Sequence, residues 1–152
     1  MARSRREILE GYLDIMNARE LGRMEEFLAP DYVEEYPQSG ERVVGIENLR
    51  RLVDEYPGGL EAGRFDRAHA RVVGEDEAYV VGPSYTVTHV QGSGDTWTAV
   101  ALARYPDGSR WHMVMLAEFR GDRIARMTEY YAPELPAPEW RAALVERTEH
   151  RD

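Results

Sequence analysis

From Phe65 to Tyr131 the chain reads as five strand-like runs: FDRAHARVV, EAYVVGPSYTVTHV, TWTAVALARY, RWHMVMLAEF and RIARMTEYY. Between them lie GED, QGSGD, PDGS and RGD, turn chemistry short enough to send each run back beside the last. A meander of that length makes a sheet with two faces to cover, and helices to cover it have to come mostly from the residues before it. Those residues supply them. Ser4 and Glu7 form an S-x-x-E capping box ahead of Ile8, Tyr12, Ile15 and Met16 at helical spacing. Leu21, Met24, Phe27 and Leu28 predict a second, shorter helix that Pro30 stops. DYVEEYP then predicts a strand ending at Pro37, and Gln38-Ser39-Gly40 turns the chain into the brief run ERVVG. IENLRRLVDEY predicts a third helix, with Ile46, Leu49, Val53 and Tyr56 on one side and Pro57-Gly58-Gly59 as its end. Gly82-Pro83 predicts a kink or bulge within its run.

The fold class that follows is α+β, three N-terminal helices and then a long antiparallel sheet. Of the 152 residues, 1–132 make one domain. Residues 133–152 are a proline-rich connector and a short helix holding Trp140 and Leu144. One run is apolar on both sides. Strand parity puts Trp111, Met113, Met115, Ala117 and Phe119 on one face of RWHMVMLAEF and His112, Val114, Leu116 and Glu118 on the other. The helices cover a single face, so a homodimer through the face of His112, Val114 and Leu116 is expected.

Composition narrows the functions open to such a fold. With 43% hydrophobic and 31% charged residues the chain is of globular type, and no apolar run approaches the ~20 residues that span a bilayer. No signal-peptide pattern is read at the start, and a cytoplasmic location without membrane partners fits. A net charge of −9 argues against a nucleic-acid partner. There is no cysteine, hence no thiol nucleophile or zinc–thiolate site, and no lysine, hence no lysine Schiff base. The four histidines, His69, His89, His112 and His150, fall into no ligand set, and no P-loop, dinucleotide or H-E-x-x-H signature occurs. Neither metal nor organic cofactor is expected.

The order of elements resembles the nuclear transport factor 2-like superfamily, which includes SnoaL-like polyketide cyclases and ketosteroid isomerases. The resemblance is carried by GYLDIMNARELGRMEEFLAPDYVEEYP, VVGIENLRRL and EFRGDRIARMTEYYAP. It implies a cone-shaped barrel, a pocket between the helices and the concave sheet, and often a dimer through the convex face. By the same resemblance Tyr12 falls where the isomerases place an oxyanion-donating tyrosine. Tyr36 stands in place of their general-base aspartate, and Met115 in place of their neutral carboxylic acid. Isomerase chemistry in its usual form is therefore not expected.

What remains is a different set of groups. The resemblance puts Met127, Glu129 and Tyr131 on the concave face. Tyr32, Glu34 and Tyr36 share a face of their strand, as Trp111, Met113 and Met115 do of theirs. With Tyr12 these residues would line an aromatic, Met-rich cavity suited to a small hydrophobic molecule. Glu129 is the candidate acid–base: burial raises a carboxyl's proton affinity towards neutrality, where it can move protons in isomerisation, cyclisation or dehydration. Tyr12 or Tyr36 would donate to an oxyanion formed opposite it. Glu34, beside Glu35 on a strand near the sheet edge, is expected to be solvated at the rim. The competing reading is a Glu129 anchored by tyrosine hydroxyls or an arginine, in a non-catalytic ligand-binding or protein-interaction module of the same fold.

Overall fold

The structure, a computed structural model, describes residues 2–56, 84–104 and 109–148. The run FDRAHARVV, the Gly82-Pro83 site, His69 and His150 lie outside the described residues. Helix α1 (Arg5–Ala18) begins at the capping box read from sequence: the Ser4 hydroxyl accepts from the Glu7 N–H, and the Glu7 carboxylate accepts from the Ser4 N–H. It ends at Arg19, which takes the left-handed conformation. Its inward face buries Ile8, Leu9, Tyr12, Leu13, Ile15 and Met16. Large apolar side chains of this kind contribute about 1.5–3 kcal/mol each on leaving water. Gly11 sits where α1 passes Phe27 so closely that a Cβ would come within 2.7 Å of the ring.

The second helix is shorter than the apolar spacing predicts. A 3₁₀ turn covers Leu21–Glu26, and Leu28 already begins strand β1 (Leu28–Tyr36). Pro30 therefore lies inside a strand instead of stopping a helix. It is tolerated because the β1–β6 register shifts between Leu28 and Val33, a break in the ladder where a missing N–H costs little. Strand β2 (Glu41–Val44) pairs back on β1, and α2 (Ile46–Asp54) buries Ile46, Leu49 and Val53. The meander follows as β3 (Ser84–Ser93), β4 (Thr96–Arg104), β5 (Arg110–Arg120) and β6 (Arg123–Pro133). A 3₁₀ turn at Glu139–Leu144 stands where the short C-terminal helix was expected, with Trp140 79% and Leu144 80% exposed.

The described strands form one sheet in the order β2-β1-β6-β5-β4-β3. Among the described strands it is curved and does not close into a barrel. All pairings are antiparallel except β1 with β6, which run parallel. Residues of one sheet face pack with the apolar side of α1 in a single core that includes Tyr12, Tyr32, Ala99, Ala101, Met113, Met115 and Met127. On that face β4 presents alanine where β5 presents methionine, Ala99 against Met115 and Ala101 against Met113, and the alternation of small and large lets the layers interlock. The parallel contact of β1 with β6 brings the start and the end of the domain together, and it is there that the buried acids lie.

Candidate functional site

β1 turns Tyr32, Glu34 and Tyr36 to the covered face, and β6 turns Met127, Glu129 and Tyr131 to the same face. Glu34 lies beside Met127 and Glu35 beside Thr128 in the parallel ladder, and Tyr36, next along β1, is close enough to Glu129 to feel its charge. Across the other edge of β6, Glu129 faces Met115 and Tyr131 faces Met113. Tyr12 of α1 is buried with them, close enough to act electrostatically on Tyr32 and Tyr36.

Both carboxyls are nearly shut off from water, Glu34 at 3% and Glu129 at 6% exposure. Glu34 accepts from the hydroxyl of Tyr32 at 2.7 Å and from that of Tyr36. Glu129 accepts from the hydroxyl of Tyr131 at 2.7 Å. Among the described residues no arginine pairs with either acid. Burial, and after it the charge of Glu34, pushes the Glu129 carboxyl well above the ordinary carboxylate range, against the smaller opposing pull of the Tyr131 hydroxyl. Burial raises Glu34 as well, and here the hydroxyls of Tyr36 and Tyr32 pull it back. Tyr32, Tyr36 and Tyr131 are in turn held in their neutral forms, first by burial and then by the neighbouring carboxylates. Strand geometry separates the two glutamate backbones by about 8 Å, a step of one strand and two residues. Two full charges at that distance repel by about 2 kcal/mol at an effective dielectric near 20.

The residues singled out from the sequence thus divide. Tyr12, Tyr32, Glu34, Tyr36, Met113, Met115, Met127, Glu129 and Tyr131 all belong to the buried face. Trp111 shares the face by parity, but it is only half-buried at the start of β5, and its indole N–H donates to the Ser109 hydroxyl at 3.1 Å. Glu34 overturns the expectation of a solvated rim, because β2 lies outside β1 and takes the edge position. Tyr36, expected as a donor to an oxyanion, directs its hydroxyl at Glu34 instead. Gln38, read from the sequence only as part of a turn, is a positioning residue. Its amide nitrogen donates to the Tyr131 carbonyl and its amide oxygen accepts from the Tyr131 N–H, which fixes the strand that carries Glu129.

The opposite face has another character. Arg126 bridges Glu35 at 2.6 Å and Glu118 at 3.4 Å in solvent, while Val114 is 37% and Tyr130 43% exposed. His112 is exposed there and lies 3.6 Å from Glu134. Among the described residues no helix is long and apolar enough to cross a membrane, and no group of three or more acids and histidines is placed to hold a metal ion.

The SnoaL-like domain family matches residues 9–127, and the chain belongs to it. No curated protein matches by sequence. Among solved structures the chain is similar to a nuclear transport factor 2-like protein of unknown function from Burkholderia xenovorans, with 25% identity and a TM-score of 0.71 over 95% of this chain and 94% of that one. A candidate ketosteroid isomerase from Kribbella flavida is similar at 24% identity and a TM-score of 0.71, over 95% and 90%. The candidate polyketide cyclase IdmH from Streptomyces antibioticus shares the fold at 16% identity and a TM-score of 0.56, over 85% and 92%.

Proposed function

We propose that the protein is a cofactor-independent enzyme that moves protons on a small hydrophobic carbonyl compound, in isomerisation, cyclisation or dehydration, between α1 and the covered face of its sheet. The observation that carries this reading is Glu129, a carboxyl buried among Tyr36, Met115 and Tyr131 that accepts a hydrogen bond from a neutral hydroxyl and is paired to no arginine among the described residues. A carboxyl so placed titrates closer to working pH, where it both gives and takes protons. Tyr12, Tyr32, Met113 and Met127 supply the aromatic and thioether walls such a substrate packs against, with Trp111 at their margin. The descriptions of the Kribbella and Streptomyces neighbours, a candidate ketosteroid isomerase and a candidate polyketide cyclase, are of isomerisation and cyclisation.

The test is solvent exchange. A panel of cyclic ketones incubated with the protein in D₂O is followed by proton NMR for loss of the hydrogens next to the carbonyl. Wild type accelerates exchange, and Glu129→Gln lowers the enzyme-dependent rate by about 10²–10⁴-fold, the usual contribution of a positioned acid–base group. Exchange that is unchanged in Glu129→Gln removes Glu129 from the chemistry.

A second reading has its own observation. The hydroxyls of Tyr32, Tyr36 and Tyr131 are all directed at carboxylates, as in a network that anchors a sheet. In a ligand-binding module of this kind the same ketones bind without exchange. We also propose that two copies meet through the convex face of His112, Val114 and Leu116, beside the exposed Tyr130. Light scattering at micromolar concentration then gives twice the 17.4 kDa chain mass, and Val114→Glu returns it to a single chain.

A further inference from the structure

The two buried acids are not equivalent, and the difference is geometric. Glu34 takes two tyrosine hydroxyls, Tyr32 from its own strand on one side and Tyr36 on the other. Glu129 takes one among the described residues, from Tyr131. An ionised carboxylate has lone pairs for several donors and no proton of its own, so the acid with the fuller donor set is the one that keeps the charge. Its neighbour, less exposed to donors and facing that charge, keeps the proton. Burial acts on both in the same direction and Glu34 on Glu129 in addition, which agrees with this order. The hydroxyl protons of Tyr32, Tyr36 and Tyr131 are already committed to these carboxylates. A proton destined for a substrate oxygen has a better source in Glu129 than in any of those three.

We propose that Glu34 and Glu129 work as an unequal pair, Glu34 as the ionised base that takes a proton from carbon and Glu129 as the neutral acid that gives one to oxygen. The assignment rests on the proton-transfer reading above and sharpens it in two respects. It moves the base from β6 to β1, and it names a substrate class: a neutral carbonyl compound whose acidic C–H lies a few atoms from the oxygen that accepts the proton. Loss of water from a β-hydroxy ketone fits. Glu34 removes the proton next to the carbonyl, that electron pair forms the C=C bond, and the C–O bond breaks as Glu129 protonates the departing hydroxyl to water. Glu34 ends neutral and Glu129 ionised, the total of one shared proton is unchanged, and its return from Glu34 to Glu129 restores the pair. Carboxylate and phosphate substrates are disfavoured, because they bring a second negative charge to a site whose described residues supply no cation.

Infrared spectroscopy reads the proton without a substrate. At pH 7 the exposed carboxyls are ionised, so a protonated-carboxyl C=O band reports a buried acid. Wild type shows one such band; Glu129→Gln loses it and Glu34→Gln keeps it. Tyr36→Phe and Tyr131→Phe leave both acids in place and test the same order should either glutamine variant fail to fold. Tyr36→Phe moves the band of the second carboxyl, present in wild type only in acid, to higher pH, whereas Tyr131→Phe leaves that second band where it was. A band lost in Glu34→Gln and kept in Glu129→Gln, or a second band moved by Tyr131→Phe alone, overturns the assignment while a proton-carrying acid remains in the site. No band at pH 7 in wild type overturns the assignment and the proton-transfer reading with it.

Discussion

Glu34 and Glu35 are neighbours in the chain and occupy different media. Glu34 points to the covered face, where its hydrogen bonds come from tyrosine hydroxyls. Glu35 points to the convex face and pairs with Arg126 in solvent. The same split recurs on β6, where buried Glu129 precedes exposed Tyr130. A carboxylate paired with arginine at a surface already has its partner, in solvent. One surrounded by neutral hydroxyls and thioethers keeps its choice between charged and neutral. The two sides of one sheet therefore teach that the environment and not the residue type makes an acid useful.

Substitutions that compare the faces should fall in a definite order under chemical denaturation. Met127→Ala, at a position with no exposure, removes about 2–5 kcal/mol, and Thr128→Ala on the other side stays within about 1 kcal/mol. Equal losses would mean that the convex face is as tightly packed as the core. Glu34→Ala leaves the hydroxyls of Tyr32 and Tyr36 without their acceptor and costs about 2–4 kcal/mol, while Glu35→Ala costs at most about 1 kcal/mol, and less at high salt.

The covered face also makes stability depend on pH. The folded-state proton affinity of Glu129 is raised, so above the ordinary carboxylate value the unfolded chain has released a proton that the folded chain retains. Its contribution to stability is fully present below the unfolded value and is lost as pH rises towards the folded one, at about 1.4 kcal/mol per unit of the gap. Glu34 acts in the same direction. Urea midpoints measured from pH 5 to pH 8 should fall more steeply for wild type than for Glu129→Gln. Parallel curves would place Glu129 in an ordinary aqueous setting.

Much of this arrangement was legible in the chain. Parity within RIARMTEYY and DYVEEYP groups Glu129 with Met127 and Tyr131, and Glu34 with Tyr32 and Tyr36, since a strand leaves a side chain only two directions; that the first group faces the helices was implied by the family resemblance. The capping box at Ser4 and Glu7 is a local motif and was equally readable. Pro30 was not, because a proline is tolerated inside a strand when the ladder slips, and that slip belongs to the pairing of β1 with a segment nearly a hundred residues away. For the same reason the sequence placed Glu34 at the rim: whether a strand is an edge is decided by its neighbour, here β2. The clamp of Gln38 on Tyr131 spans 93 positions and has no local signature.

The claim beneath all of this is that the covered face holds an acid poised to stay neutral. Protein labelled with ¹³C at the glutamate carboxyl carbons, titrated by NMR and assigned with Glu129→Gln, measures that acid alone. The account predicts a Glu129 midpoint well above the ordinary 4.5 of a glutamate. A midpoint at or below that value would contradict it.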